Sequence, residues 1–229
     1  MNNNIERTKK LVMIAMFSAL AYVTTVLCKL IPDVAGFLSL EIKDAVIVLC
    51  SLILGPISGL IIAIIVPFVE LFTISATGWY GLIMNVLSSA TFALVVGSLY
   101  KSKRTLGGAI IGLVSGVFSV TAVMVLANLF ITPLYLKYMV GVPATMGYVA
   151  EMIPTVLLPF NLIKAILNMA IVLLFYKPLS SVLKKVGVIE KAKSEEGRDK
   201  RSVLRYILLA TISILIITGS LLIIFLVLK

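Results

Sequence analysis

Six apolar stretches dominate this chain, at about 11–31, 44–73, 80–100, 106–132, 153–177 and 203–228. Each is long enough to cross a bilayer, where a backbone must satisfy its own hydrogen bonds and only helices or closed barrels survive. Continuous apolar runs of this length predict helices. Apolar residues make up 61% of the chain and charged ones 13%, with a mean hydropathy of +1.16. The fold class is therefore an all-α polytopic membrane protein. Its 229 residues leave no room for a soluble nucleotide-binding domain, and no Gly-x-x-x-x-Gly-Lys-Ser/Thr loop is present.

The net charge of +10 invites a nucleic-acid reading, but the placement of the charges opposes it. Of the 20 Lys and Arg residues, 15 lie in three clusters: Arg7, Lys9 and Lys10; Lys101, Lys103 and Arg104; and nine between Lys177 and Arg205. No aromatic residues are interleaved with them as a stacking platform requires. Cytoplasmic loops of membrane proteins carry such clusters. All three fall on one side only if the stretch 44–73 breaks at Gly55-Pro56, a natural helix stop, into spans of roughly 43–54 and 57–73. The first would be short and sit inside the bundle or tilt. The amino terminus is then cytoplasmic, and loops 32–42, 74–79 and 133–152 face outward. These loops and their flanks carry Asp33, Glu41, Asp44, Glu70 and Glu151, with Thr77-Gly78-Trp79-Tyr80 and several prolines. They read either as turns and an interfacial belt or as a lid over an outward cavity.

Met1 to Lys10 resembles a signal-peptide n-region, and Ala19-Leu20-Ala21 a cleavage site, but the apolar run continues to Ile31 and predicts an uncleaved first helix. Cys28 and Cys50 have no disulfide or zinc spacing. Without histidine, His-based triads, general bases and metal sites are excluded, and no enzyme, metal or resident cofactor is expected.

Polar residues inside the spans are more informative. Pro159-Phe160-Asn161-Leu162-Ile163-Lys164 interrupts an apolar stretch, and Asn161, Lys164 and Asn168, at i, i+3 and i+7, share one helical face. A lysine at bilayer depth costs on the order of 2.5–3.5 kcal/mol even on lenient scales. Asn128 and Thr132 lie one turn apart at similar depth. The two sets could line one cavity for a planar heterocycle with carbonyl and imide edges, or form a buried network that holds helices together. Ala15 and Ala19 form a small-x-x-x-small pattern, suited to packing within the bundle or to docking another membrane subunit. Gly108, Gly112 and Gly116 repeat that spacing and read as internal packing.

Leu38-Ser39-Leu40-Glu41-Ile42-Lys43-Asp44, followed by Leu54-Gly55-Pro56-Ile57-Ser58-Gly59, resembles the substrate-binding S components of energy-coupling factor (ECF) transporters. Thr77-Gly78, Asn85, Asn128 before Thr132-Pro133-Leu134-Tyr135, and the Asn161-x-x-Lys164 helix resemble the riboflavin-specific branch. The resemblance covers roughly residues 8–186. It implies a six-helix bundle in a bacterial cell membrane that binds riboflavin near the outer face as cargo. It also implies delivery through a transmembrane coupling subunit and two cytoplasmic ATPases. Carried over, Asn128, Asn161 and Lys164 would bond the isoalloxazine edge. The segment at Leu40 and the Ala76-Thr77-Gly78 loop would close over the ligand, and Ala15 and Ala19 would meet the coupling subunit.

The chain departs from that pattern after residue 186, with a charged cytoplasmic linker at 187–202 and a further membrane helix at 203–229. Two other readings stay open: an S component for another planar vitamin, or an autonomous secondary transporter using Asp44 or Glu70. A third, a structural scaffold, would pair Lys164 with Asp44 or Glu70.

Overall fold

The computed structural model describes residues 3–185 and 200–227; the expected linker lies outside them up to residue 199. The helices are α1 (Asn3–Cys28), α2 (Lys43–Leu54), α3 (Pro56–Thr73), α4 (Gly78–Ser102), α5 (Leu106–Tyr135), α6 (Met146–Met152), α7 (Leu158–Lys185) and α8 (Lys200–Val227). Five helical stretches have the length and apolar composition to cross a membrane. With α2 and α8 they form the expected bundle and its additional carboxy-terminal helix. Counting the short α2, helices α1 to α5 alternate in direction, and α7 runs back from the end where α5 finishes. One end of the bundle therefore gathers segments 29–42, 74–77 and 136–157, and the other the basic clusters near residues 7–10 and 101–104.

The break at Gly55 determines how the centre is built. Gly55 has φ +96°, which a residue with a Cβ rarely adopts, and Pro56 starts α3 at the position where its missing N–H is harmless. The result is α2, twelve residues and about 18 Å long. It is too short to span alone, and every residue from Lys43 to Leu52 is buried. Helices α1, α3, α4 and α7 all pack against it. Ser51 in its last turn donates to the Ala93 carbonyl at 2.7 Å, which satisfies a buried hydroxyl.

Glycines let α5 approach α4, as their spacing predicts. A Cβ on Gly116 would lie 2.7 Å from Phe92 and Val96, and one on Gly112 would lie 3.1 Å from the Val96 carbonyl oxygen. Gly116→Val is expected to destabilise the protein by about 1–3 kcal/mol through overpacking, read as a lower midpoint for thermal unfolding in detergent. Gly219→Ala on α8, where nothing lies within 4 Å of the new carbon, serves as the control and should lose no stability.

Two boundaries differ from expectation. Helix α5 does not stop before Pro133 but carries it in its last turn, then widens into a π-helical turn at Leu136–Val140. A membrane helix tolerates a proline where local π geometry and neighbouring helices take up the lost backbone bond. Segment 133–152 is likewise no simple loop, because it contains α6. A second π-helical turn, Ile153–Leu157, delays the start of α7 to Leu158.

Helix α8 lies along α7. Ser213 and Ser220, seven residues apart, are buried on its inner side. Ile217 and Leu221 join a core cluster that contains Val34, Leu38, Leu157 and Phe160. Its opposite side exposes Ile214, Leu215 and Leu222.

Candidate functional site

At that end of the bundle, segments 29–42 and 74–77 and the ends of α3, α4, α5 and α7 enclose a cavity of about 90 Å³. Its roof comes from the connection between α1 and α2. Val34 and Leu38 exchange backbone bonds of 2.9 Å around Ala35 (φ +52°) and Gly36 (φ +78°). This tight reversal places Phe37 near Tyr135, which in turn meets Tyr80 edge-on; each pair of ring centroids is 6.1 Å apart. All three aromatic residues line the cavity. Flat apolar faces with a few polar groups behind them suit a planar ligand.

The polar wall comes from α5 and α7. Asn128 donates to the Met124 carbonyl at 2.7 Å, and its side-chain oxygen accepts from Thr132 at 2.8 Å. Asn161 donates to the Leu157 carbonyl at 2.8 Å. Its oxygen has no protein donor among the described residues. Lys164 donates to Glu41 Oε2 at 3.1 Å and, weakly, to the Ser39 carbonyl at 3.4 Å. Asn128, Thr132, Asn161 and Lys164 all line the one cavity, so the two sets of polar residues do meet.

The floor of the cavity is a charge network, in which Glu41, Glu70 and Asn85 line the cavity and Lys43 lies behind them. Lys43, with 0% of its side chain exposed, bonds both Glu70 oxygens at 2.8 and 2.7 Å and lies 3.1 Å from Glu41 Oε2. Asn85 donates to Glu70 Oε2 at 3.0 Å. A cation in the first turn of a helix opposes the helix dipole, and unpaired it would be costly to bury. Two carboxylates offset both penalties. Burial pushes the Glu41 carboxyl up, but Lys43 and then Lys164 outweigh it and hold the group down at about 2. Its ion pairing therefore stabilises the fold fully above pH ~4.5 and is lost as pH falls through about 2. Asp44 accepts from Ser88 at 3.2 Å and from Ser89. Lys164 thus pairs with Glu41, not with Asp44 or Glu70 as a scaffold role would require.

Asn168 proves to be a long-range cap rather than a cavity residue. Its oxygen accepts from the Ala45 N–H at 2.8 Å, and its amide donates to the Glu41 and Lys164 carbonyls at 3.0 and 2.9 Å. Residue 42, before α2, is an isoleucine without a capping side chain, so α7 supplies the cap.

The other expected residues divide. Thr77 lines the cavity, whereas Leu40 is buried in the second core cluster, Ala76 is exposed, and Gly78, at φ +57°, opens α4. Ala15 and Ala19 are exposed on α1, beside Leu11, Val12, Met16 and Leu20, so they do not pack within the bundle. Sequence patterning does not single out Lys43 or its partnership with Glu41 and Glu70, because it places the acids on an outer rim. The usable signal is a lysine two residues after a glutamate at the mouth of a span too short to reach water.

The model of the family "ECF transporter, substrate-specific component" matches residues 9–176. The riboflavin transporter RibU of Staphylococcus aureus (strain TCH60) is 29% identical over 188 residues, 80% of this chain and 96% of that protein. The riboflavin transporter FmnP of Bacillus subtilis (strain 168) is 25% identical over 163 residues, 70% of this chain and 86% of that one. A solved S component of a bacterial ECF transporter superposes with a TM-score of 0.64 at 30% identity, covering 78% of this chain and 99% of that one.

Proposed function

This chain belongs to the family of ECF transporter substrate-specific components, and on that premise we propose that it captures riboflavin in the cavity beneath Phe37, Tyr80 and Tyr135. The observation that carries this reading is the meeting of Asn128, Asn161 and Lys164 in one cavity under an aromatic roof. An isoalloxazine ring has apolar faces and an edge of carbonyl, imide and ring-nitrogen groups. Lys164 and a spare Asn128 N–H supply donors to that edge, and the free Asn161 oxygen supplies an acceptor. Ring burial provides the bulk of the affinity, and the placed polar groups select the orientation. Thr77 and the hairpin of residues 34–38 stand at the mouth, where the ribityl chain would lie.

In this reading ATP would be hydrolysed by partners, because the chain itself has no nucleotide-binding loop. A transmembrane coupling subunit would dock on the exposed Ala15 and Ala19 face of α1, with two cytoplasmic ATPases attached to that subunit. The amino terminus would then be cytoplasmic and the cavity would open outward, an orientation that the basic clusters support through the positive-inside rule.

The test is the visible absorbance of protein purified in mild detergent, with any released chromophore identified by mass. A yellow preparation with near-stoichiometric riboflavin is expected. A colourless protein whose Trp79 fluorescence is not quenched by added riboflavin would overturn the assignment.

A further inference from the structure

Two lysines share Glu41 but differ in their access to the cavity, since Lys43 is fully buried and Lys164 is only partly so. Lys43 donates to both Glu70 oxygens and forms an ion pair with Glu41 at 3.1 Å, and it does not line the cavity. Lys164 has one strong partner, Glu41, at 3.1 Å, and 13% of its side chain is exposed toward the cavity. Both ammonium groups lie 3.1 Å from the same oxygen, Glu41 Oε2.

That shared oxygen has a consequence for binding. A ligand that takes the Lys164 ammonium must draw it away from Glu41. If Lys164 were Glu41's only cation, binding would strand a buried carboxylate, which is strongly unfavourable. With Lys43 in place, Glu41 stays paired throughout. We propose that Lys43 is a positioning residue: it neutralises Glu41 from behind the cavity and so frees Lys164 for the ligand. The inference rests on the ligand reading above and names a residue which that reading does not use.

Two double variants of equal net charge separate this role from simple charge balance. Lys43→Met is expected to weaken riboflavin binding roughly 30-fold or more, measured by quenching of flavin fluorescence in detergent. Adding Glu41→Gln removes the group that competes for Lys164 and restores most of the affinity. Adding Glu70→Gln removes the same charge elsewhere and does not. Should Lys43→Met fail to fold, the two double variants are compared directly, and the one carrying Glu41→Gln is expected to bind about tenfold or more tightly than the other. Equal rescue by both, or a folded Lys43→Met that binds like the wild type, overturns the inference and leaves the ligand reading intact. A wild-type protein that binds no riboflavin removes both.

Discussion

Tryptophan at Ala15 or Ala19 is expected to abolish riboflavin uptake while leaving riboflavin binding unchanged. The inner side of α1 is formed by Met13, Ile14, Phe17 and Ala21, all buried. Ala15 and Ala19 face away from them and are exposed, so the new ring enters neither the core nor the cavity. Association of helices in a membrane depends on close backbone approach, which small residues at i and i+4 permit and a tryptophan prevents. Uptake is measured in cells that carry the coupling module, and binding on purified protein. Phe118→Trp, at an exposed site on α5, controls for bulk alone and should transport normally. Continued uptake by both α1 variants would place the docking surface elsewhere.

Lys164→Ala is expected to weaken riboflavin binding by about 10- to 100-fold, from the roughly 1.5–3 kcal/mol of a hydrogen bond to a charged group. The fold should tolerate the change, because Glu41 keeps Lys43 and the α2 cap depends on the Lys164 backbone carbonyl, not on its ammonium group. Asn161→Ala removes the unpartnered acceptor and should lose about tenfold. Fluorescence titration of purified protein measures both, with the unfolding midpoint recorded alongside. Unchanged affinity in both variants would move the flavin edge away from α7.

Much of this site is legible in the amino-acid sequence, for identifiable reasons. Asn161 and Lys164 stand out because polar groups in an apolar span are costly, and helical spacing places them on one face. Asn128 and Thr132 follow from depth matching between antiparallel helices. Asn168 shares the face of Asn161 and Lys164 yet caps α2, because its reach depends on a neighbouring helix ending beside it. Leu40 and Ala76 come only from the family resemblance, and their side chains line no part of the cavity. Pro133 misleads the boundary, since a helix surrounded by others can carry a proline that would end it in water.

The sequence by itself determined the membrane class, the break at Gly55-Pro56 and the small-residue pattern of α1. Each follows from local physics: apolar run length, backbone freedom and side-chain size. Only the tertiary structure decided which way that pattern faces and which buried charges meet. Lys43, Glu41, Glu70 and Lys164 come from three helices and a connecting segment, up to 123 residues apart in the chain. Electrostatic partners inside a membrane are chosen by distance across packed helices, and the order of residues along the chain does not encode that distance.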